Sequence, residues 1–263
     1  MGDVLDLSGV TIVRDGNALL DDVSWKVREG ERWVILGANG AGKTTLLQVA
    51  AARMHPSSGQ ATILGETLGR TDVFDLRPRV GLSSAALAER LPPGERVRDV
   101  VVTAAYAVAG RWNEFYDELD MGRSDDLLSA FGIAHLAERT FGTLSEGERK
   151  RVQLARSMMT DPEVVLLDEP AAGLDLGSRE ILVRDLAELA SDPNSPVLVL
   201  VTHHVEEIPP GFSHAMLLRS GRVVAAGDLA ETLTDDNLTA TFGVPLRVHH
   251  AAQRWYATLR QEG

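Results

Sequence analysis

Cysteine is absent from the 263 residues. That excludes a disulfide framework and a thiolate-bound metal, and it fits a reducing compartment. Lysine is scarce: Lys26, Lys43 and Lys150 are the whole set, so the placement of each is informative. No long apolar run is present. The longest, roughly Val100 to Gly110, falls well short of the ~20 residues that span a bilayer. Any work at a membrane is therefore expected through a partner, without direct insertion. Residues Met1 to Val10 lack the charged-then-apolar pattern of a signal peptide. Positive charge is also in deficit, with Lys+Arg 26 against Asp+Glu 38 and a net charge of -12. This argues against nucleic acid as a partner and against docking on anionic lipid. It leaves open a small anion held by a local backbone site.

At 44% hydrophobic and 24% charged, the chain reads as an ordinary folded protein, one large α/β domain or two small ones. Val4 to Leu7, Val10 to Val13 and Ser24 to Val27 read as short strands. Trp33 to Leu36 is a continuous apolar run, expected as a strand buried on both faces. A helix is expected from Thr44 to Arg53, then strands near Ala61 to Leu64 and Val80 to Leu82. Residues from about 85 to 142 turn to Ala, Leu, Glu and Arg at helical spacing and read as a helical insertion, its stripe Val97, Val100, Val101, Ala104, Ala105 and Val108 as helix core. Alternation then returns: strand Val164 to Leu167, helix Ser178 to Ala190, strand Val197 to Val201, and a hairpin through Ser220-Gly221. Strands alternating with helices imply a parallel sheet. Residues 228–263 are less periodic and are assigned as a helical tail of unknown role.

Gly37-Ala38-Asn39-Gly40-Ala41-Gly42-Lys43-Thr44 satisfies G-x-x-x-x-G-K-[ST] between a buried strand and a helix, with Thr45 next in line. Glycines let consecutive N–H groups curl around phosphate oxygens, and the helix adds the positive end of its dipole. Lys43 is expected on the β- and γ-phosphates and the Thr44 hydroxyl on Mg²⁺. The competing reading, a glycine-rich turn that happens to hold a lysine, ignores how few lysines there are. Val164 to Leu167 ends in Asp168-Glu169. Beside a phosphate loop these acids suit a metal carboxylate, Asp168, and a residue polarising the attacking water, Glu169. Alone they would serve equally as a helix N-cap.

Leu144-Ser145-Glu146-Gly147-Glu148 lies between the two and resembles the signature L-S-G-G-Q of ABC (ATP-binding cassette) ATPases. Ala172-Gly173-Leu174-Asp175 resembles the D-loop, Val201-Thr202-His203 the switch histidine, and Asp21-Asp22-Val23-Ser24 a common strand of that family. In order and spacing these motifs cover about Val4 to Gly227. The resemblance implies a P-loop ABC-type ATPase core, 1–227: a parallel sheet with flanking helices, an N-terminal antiparallel β subdomain and the helical insertion. It implies MgATP bound between Gly37–Thr45 of one copy and Ser145, Glu146, Gly147 and Asp175 of a second copy or homologous subunit. Lys43, Glu169 and His203 would be catalytic, with Thr44 and Asp168 on Mg²⁺. A transporter ATPase would sit in the cytoplasm, peripheral on the inner face of the membrane, with integral membrane subunits as partners.

Departures are present. Glu146 and Glu148 replace Gly and Gln, and Ser145-x-x-Glu148 is locally a capping box. Ser83-Ser84-Ala85-Ala86 stands where the family has a metal-ligating Gln. The adenine-stacking aromatic is missing, and Arg14 either stacks in its stead or is a solvated turn arginine. The pairs His203-His204 and His249-His250 lack the carboxylate and cysteine spacing of a metal site. The missing Gln leaves a soluble ABC ATPase driving an assembly process as the alternative to transport. A DNA-repair or ribosome-acting role is disfavoured, since there is no second cassette, coiled coil or basic surface.

Overall fold

The structure is a computed structural model that describes residues 2–111 and 114–260. The chain opens with two long strands, β1 (Asp3–Arg14) and β2 (Asn17–Arg28), paired antiparallel. The two short strands expected before Arg14 are one strand bent by register shifts, because a bulge turns a ribbon without ending its ladder. Next come β3 (Arg32–Leu36), α1 (Lys43–Ala50), β4 (Ser58–Ile63), β5 (Glu66–Thr67), α2 (Val73–Leu76) and β6 (Val80–Ser83).

The stretch expected as a helical insertion holds α3 (Ala85–Ala88), α4 (Val97–Val102), α5 (Glu118–Ala130) and short 3₁₀ turns, with no strand among its described residues. Of the expected stripe, Val97, Val100 and Val101 are fully buried on α4, whereas Ala104 and Ala105 sit half-buried on a 3₁₀ turn and half-buried Val108 lies beyond it. Then follow α6 (Glu146–Ser157), β7 (Val164–Asp168), α7 (Leu176–Ser191), β8 (Val197–Thr202), β9 (His214–Arg219) and β10 (Arg222–Asp228).

The tail corrects the expectation of helix throughout. Helices α8 (Leu229–Thr232) and α9 (Asp235–Phe242) are followed by a hairpin, β11 (Leu246–Ala251) and β12 (Arg254–Leu259). Gly243, at φ 75, ends α9. The histidines His249 and His250 stack on cross-strand Tyr256 and Trp255 at 4.7 and 4.3 Å. Such aromatic pairs support a two-stranded ribbon, whose Val248 and Trp255 also pack against the main core, and the period-2 signal is too short to stand out in six-residue strands.

The six-stranded sheet runs β10-β9-β3-β8-β7-β6, parallel except for β10. Alternate residues of its strands feed two cores. Val34, Leu36, Leu167 and Leu200 face the helical side with Leu154 of α6 and Leu182 of α7. Ile35, Leu166, Val199 and Met216 face the antiparallel sheet β2-β1-β4-β5 and Leu47 of α1. Burial on both faces explains why these strands read as unbroken apolar runs. Asp21 fastens the two sheets: its N–H donates to Gly221 O at 2.9 Å, and its carboxylate accepts from Arg222 at 2.5 Å.

Arg156, buried on α6, ties the helical insertion to the rest. It donates to Thr103 Oγ1 at 2.7 Å, to Val108 O at 2.6 Å and to Val100 O. Burial pulls its guanidinium down to about 10, still cationic at neutral pH.

Candidate functional site

All three catalytic expectations meet at the carboxyl ends of β3, β7 and β8, where a parallel sheet opens a crevice. The loop after β3 turns into α1 at Gly42, whose φ is 102 and whose missing Cβ would lie 2.7 Å from Leu19 O. Only glycine fits there. Lys43 follows, buried, its Nζ donating to Gly37 O at 2.7 Å and Ala38 O at 3.1 Å. Its ammonium is 3.4 Å from Glu169 Oε1. The same oxygen is 3.2 Å from His203 Nδ1.

Glu169 holds a left-handed backbone, φ 48, while its N–H donates to Val201 O at 2.9 Å. A non-glycine residue in that region is strained, and such strain clusters at functional sites. The switch segment after β8 is held by Thr202, whose hydroxyl donates to the buried Glu207 carboxylate and accepts from His204 N–H at 3.0 Å. From the tail, Arg254 donates to Glu206 O at 2.6 Å and to Glu180 at 2.6 Å, so the hairpin is fastened to this segment and to α7.

Asp168 ends β7 beside Thr44. Burial raises its carboxyl above the ordinary value, with the Thr44 hydrogen bond opposing. Its Oδ1 is buried and makes no hydrogen bond. An orphaned carboxylate oxygen next to a hydroxyl is a hard-donor set that fits a magnesium ion.

The cleft is lined by 39–45 of the loop together with Leu19, Ala85, Lys150, Asp168, Glu169 and Ala172. Arg14 is exposed at the end of β1 and is not among these; Leu19 is. Ser84 is not among them either. Its hydroxyl caps α3, accepting from Leu87 N–H at 3.3 Å, so the oxygen is used locally. Sequence reading missed Leu19 and Lys150. Leu19 carries no motif, and Lys150 had only the scarcity of its type as a signal.

Ser145, Glu146 and Gly147 do not line this cleft. The capping box is present at the start of α6: Ser145 N–H and Oγ both donate to Glu148 Oε2, at 2.8 and 2.9 Å. Glu146 is half exposed, 3.8 Å from Arg149. Gly147 has a packing reason of its own, since a Cβ would stand 2.8 Å from Ser178 Oγ. Ser178 in turn donates its N–H at 2.8 Å to Asp175, the cap of α7. The signature loop and the D-loop helix therefore touch within one chain.

The glycine-rich loop between β3 and α1, with an acid pair ending a neighbouring parallel strand, defines a P-loop nucleotide-binding domain. Residues 20–172 match the ABC transporter family. An uncharacterized ABC transporter ATP-binding protein of Bacillus subtilis is 40% identical over 93% of this chain and 93% of its own length. A cobalt import ATP-binding protein of Rhodobacter capsulatus is 36% identical over 91% of this chain and 84% of its own. Among solved structures, cbiO1 of Clostridium perfringens, described as part of the ABC transporter complex cbiONQ, superposes with a TM-score of 0.77 at 25% identity, covering 91% of this chain and 94% of that one. The chain belongs to the ABC transporter family, as an ATP-binding subunit: an ATPase that powers a membrane transporter. Nothing in these likenesses favours the assembly alternative.

Proposed function

We propose that ATP is bound between the 37–45 loop of one copy and Ser145, Glu146 and Gly147 of a second, arranged head to tail, with Asp175 of each D-loop at the seam. The observation that carries this is the Lys43–Glu169 pair in a cleft that the signature residues of the same copy do not line, with His203, itself outside the lining, bonded to Glu169. One copy thus offers half a site, and two-fold pairing supplies the other half. Thr44 and Asp168 would hold Mg²⁺, which neutralises phosphate charge when bound.

Lys43 then exchanges its loop carbonyls and Glu169 for phosphate oxygens. Glu169, released from the lysine, orients the attacking water, and His203 follows the γ-phosphate. Phosphoryl transfer depends mostly on positioning and charge compensation, so a site completed by closure turns over only when closed. The domain 1–227 is the motor, with 228–263 as a brace on the switch segment through Arg254. Arg14 is the candidate for the base through a guanidinium plane, with Leu19 as the apolar wall nearer the loop.

Integral membrane subunits are the partners this reading requires. No helix among the described residues is long and apolar enough to cross a membrane, so the chain would attach peripherally on the cytoplasmic face through them. The test is a mild-detergent pull-down of tagged Glu169→Gln chain with MgATP. Recovery of a stoichiometric membrane protein with a dimeric ATPase supports the reading. Recovery of soluble partners alone, from chain that binds ATP and dimerises, would overturn the membrane coupling and leave the ATP chemistry standing.

A further inference from the structure

Two of the three lysines line the same cleft. Lys26 pairs with Asp3 and Asp6 at 3.0 and 3.1 Å, and Lys43 belongs to the phosphate loop. Lys150 comes from α6 and lines the cleft together with Ala85, Asp168 and Glu169. It is half buried.

The other cations of α6 are committed to structure. Arg149 donates to Gly142 O at 2.7 Å, Arg151 to Phe131 O at 3.4 Å, and Arg156 to Thr103 at 2.7 Å. Among the described residues Lys150 makes no hydrogen bond or ion pair of its own; its charge favours the ionised Asp168 carboxylate. A cation held in a phosphate cleft without a partner is a cation awaiting an anion.

Ala85 explains the space. The loop after β6 puts Ser84 into the cap of α3 and leaves only a methyl group facing the cleft. Lys150 lines the same cleft from α6. An ammonium donates three hydrogen bonds and accepts none, so it cannot ligate a metal ion. Its partner must be an oxyanion.

We propose that Lys150 is a second cationic contact for the terminal phosphate of ATP, made within the subunit that holds the nucleotide and occupying the space that Ala85 leaves. This rests on the nucleotide site proposed above. One consequence is specific to a cation at this point: part of the affinity for ATP persists without divalent metal, because Lys150 supplies charge that the metal otherwise brings. A compact point charge on a flexible stem suits that task.

The test is calorimetric binding of ATP and ADP to the full chain, in EDTA and in MgCl₂, for the wild type, Lys150→Gln, Lys150→Arg and Lys43→Ala. Lys150→Gln should weaken ATP in EDTA about tenfold, the scale of one charge-assisted hydrogen bond, and ADP less than about twofold. The loss should be smaller in MgCl₂, and Lys150→Arg should restore most of it. Equal ATP affinities for wild type and Lys150→Gln in EDTA would overturn the proposal, as would equal losses for ATP and ADP. Wild-type chain that fails to bind ATP even with MgCl₂, as expected only of Lys43→Ala, would remove the nucleotide site itself.

Discussion

Two helices of this chain begin at positions where a phosphate is expected, and they begin differently. Helix α1 has Gly42 as its cap, no side-chain hydrogen bond there, and no acid in its first turn. Its N–H groups are left for an outside anion. Helix α6 starts with Ser145, which is bonded reciprocally to Glu148, and carries Glu146 and Glu148 in its first turn. Its Ser145 N–H and hydroxyl are already taken by a carboxylate of its own. Both ends have the dipole and the backbone donors; only side chains distinguish them. A helix N-terminus becomes a ligand site when the chain refrains from satisfying it. In the proposed dimer, a phosphate that bonds the Ser145 hydroxyl competes with Glu148 for it.

The largest test of this contrast disables the open end. Glu169 is the carboxylate that touches Lys43 at that end. Glu169→Gln should keep ATP bound and let the closed dimer accumulate, while turnover falls about 10²–10⁴-fold, the usual worth of a general base. Rapid turnover by this variant would remove the assignment of Glu169. Next in size, Lys43→Ala should weaken MgATP about 100-fold or more, since a buried charge-assisted contact is lost. Calorimetry measures it, and unchanged affinity would break the contrast outright.

The capped end gives smaller effects. Glu148→Ala removes the carboxylate that Ser145 holds and should cost about 1 kcal/mol of stability in urea unfolding, as cap losses do. Glu148→Gln preserves the box and removes the charge. It should leave the urea midpoint nearly unchanged while tightening the ATP-induced dimer a few-fold. A weaker dimer from Glu148→Gln would mean that the carboxylate helps rather than competes.

The pH dependence follows from the same bond. The Ser145 N–H holds the Glu148 carboxyl below its ordinary value. A group whose folded value is depressed contributes stability above its unfolded value, about 4.3–4.5, and loses it as pH falls through the lower folded value. Amide protection at 145–149 should accordingly decline in acid before the rest of α6. The smallest effect is expected of Glu146→Gln, under about 0.5 kcal/mol, because its partner Arg149 is 3.8 Å away across a half-exposed surface.

Much of the cleft was legible in the residues. Gly37–Thr44 and Asp168-Glu169 need particular residue types in consecutive positions, since backbone curvature and strand-end geometry are local. The start of α6 was legible for the same reason: a capping box is written in four residues. Leu19 was not legible because only the loop's approach to β2 puts it, five residues after Arg14, against the cleft. Where the missing Gln would stand, Ser84 brings no oxygen to the cleft, because its hydroxyl accepts from Leu87 N–H. The tail hairpin was hidden because its stacked pairs, His249–Tyr256 and His250–Trp255, are made across strands, invisible to a one-dimensional pattern.

By itself, then, the sequence determined the phosphate loop, the acid pair, the signature and the alternation of strands with helices, all consequences of short-range stereochemistry. Only the tertiary structure decided that Glu169 bridges Lys43 and His203, that Asp168 keeps one oxygen without a partner, and that Lys150 enters the cleft that Ala85 leaves open. Those relations join residues up to 160 positions apart in the chain. They exist because a parallel sheet gathers the carboxyl ends of distant strands at one edge, and no local preference records which side chains will meet there.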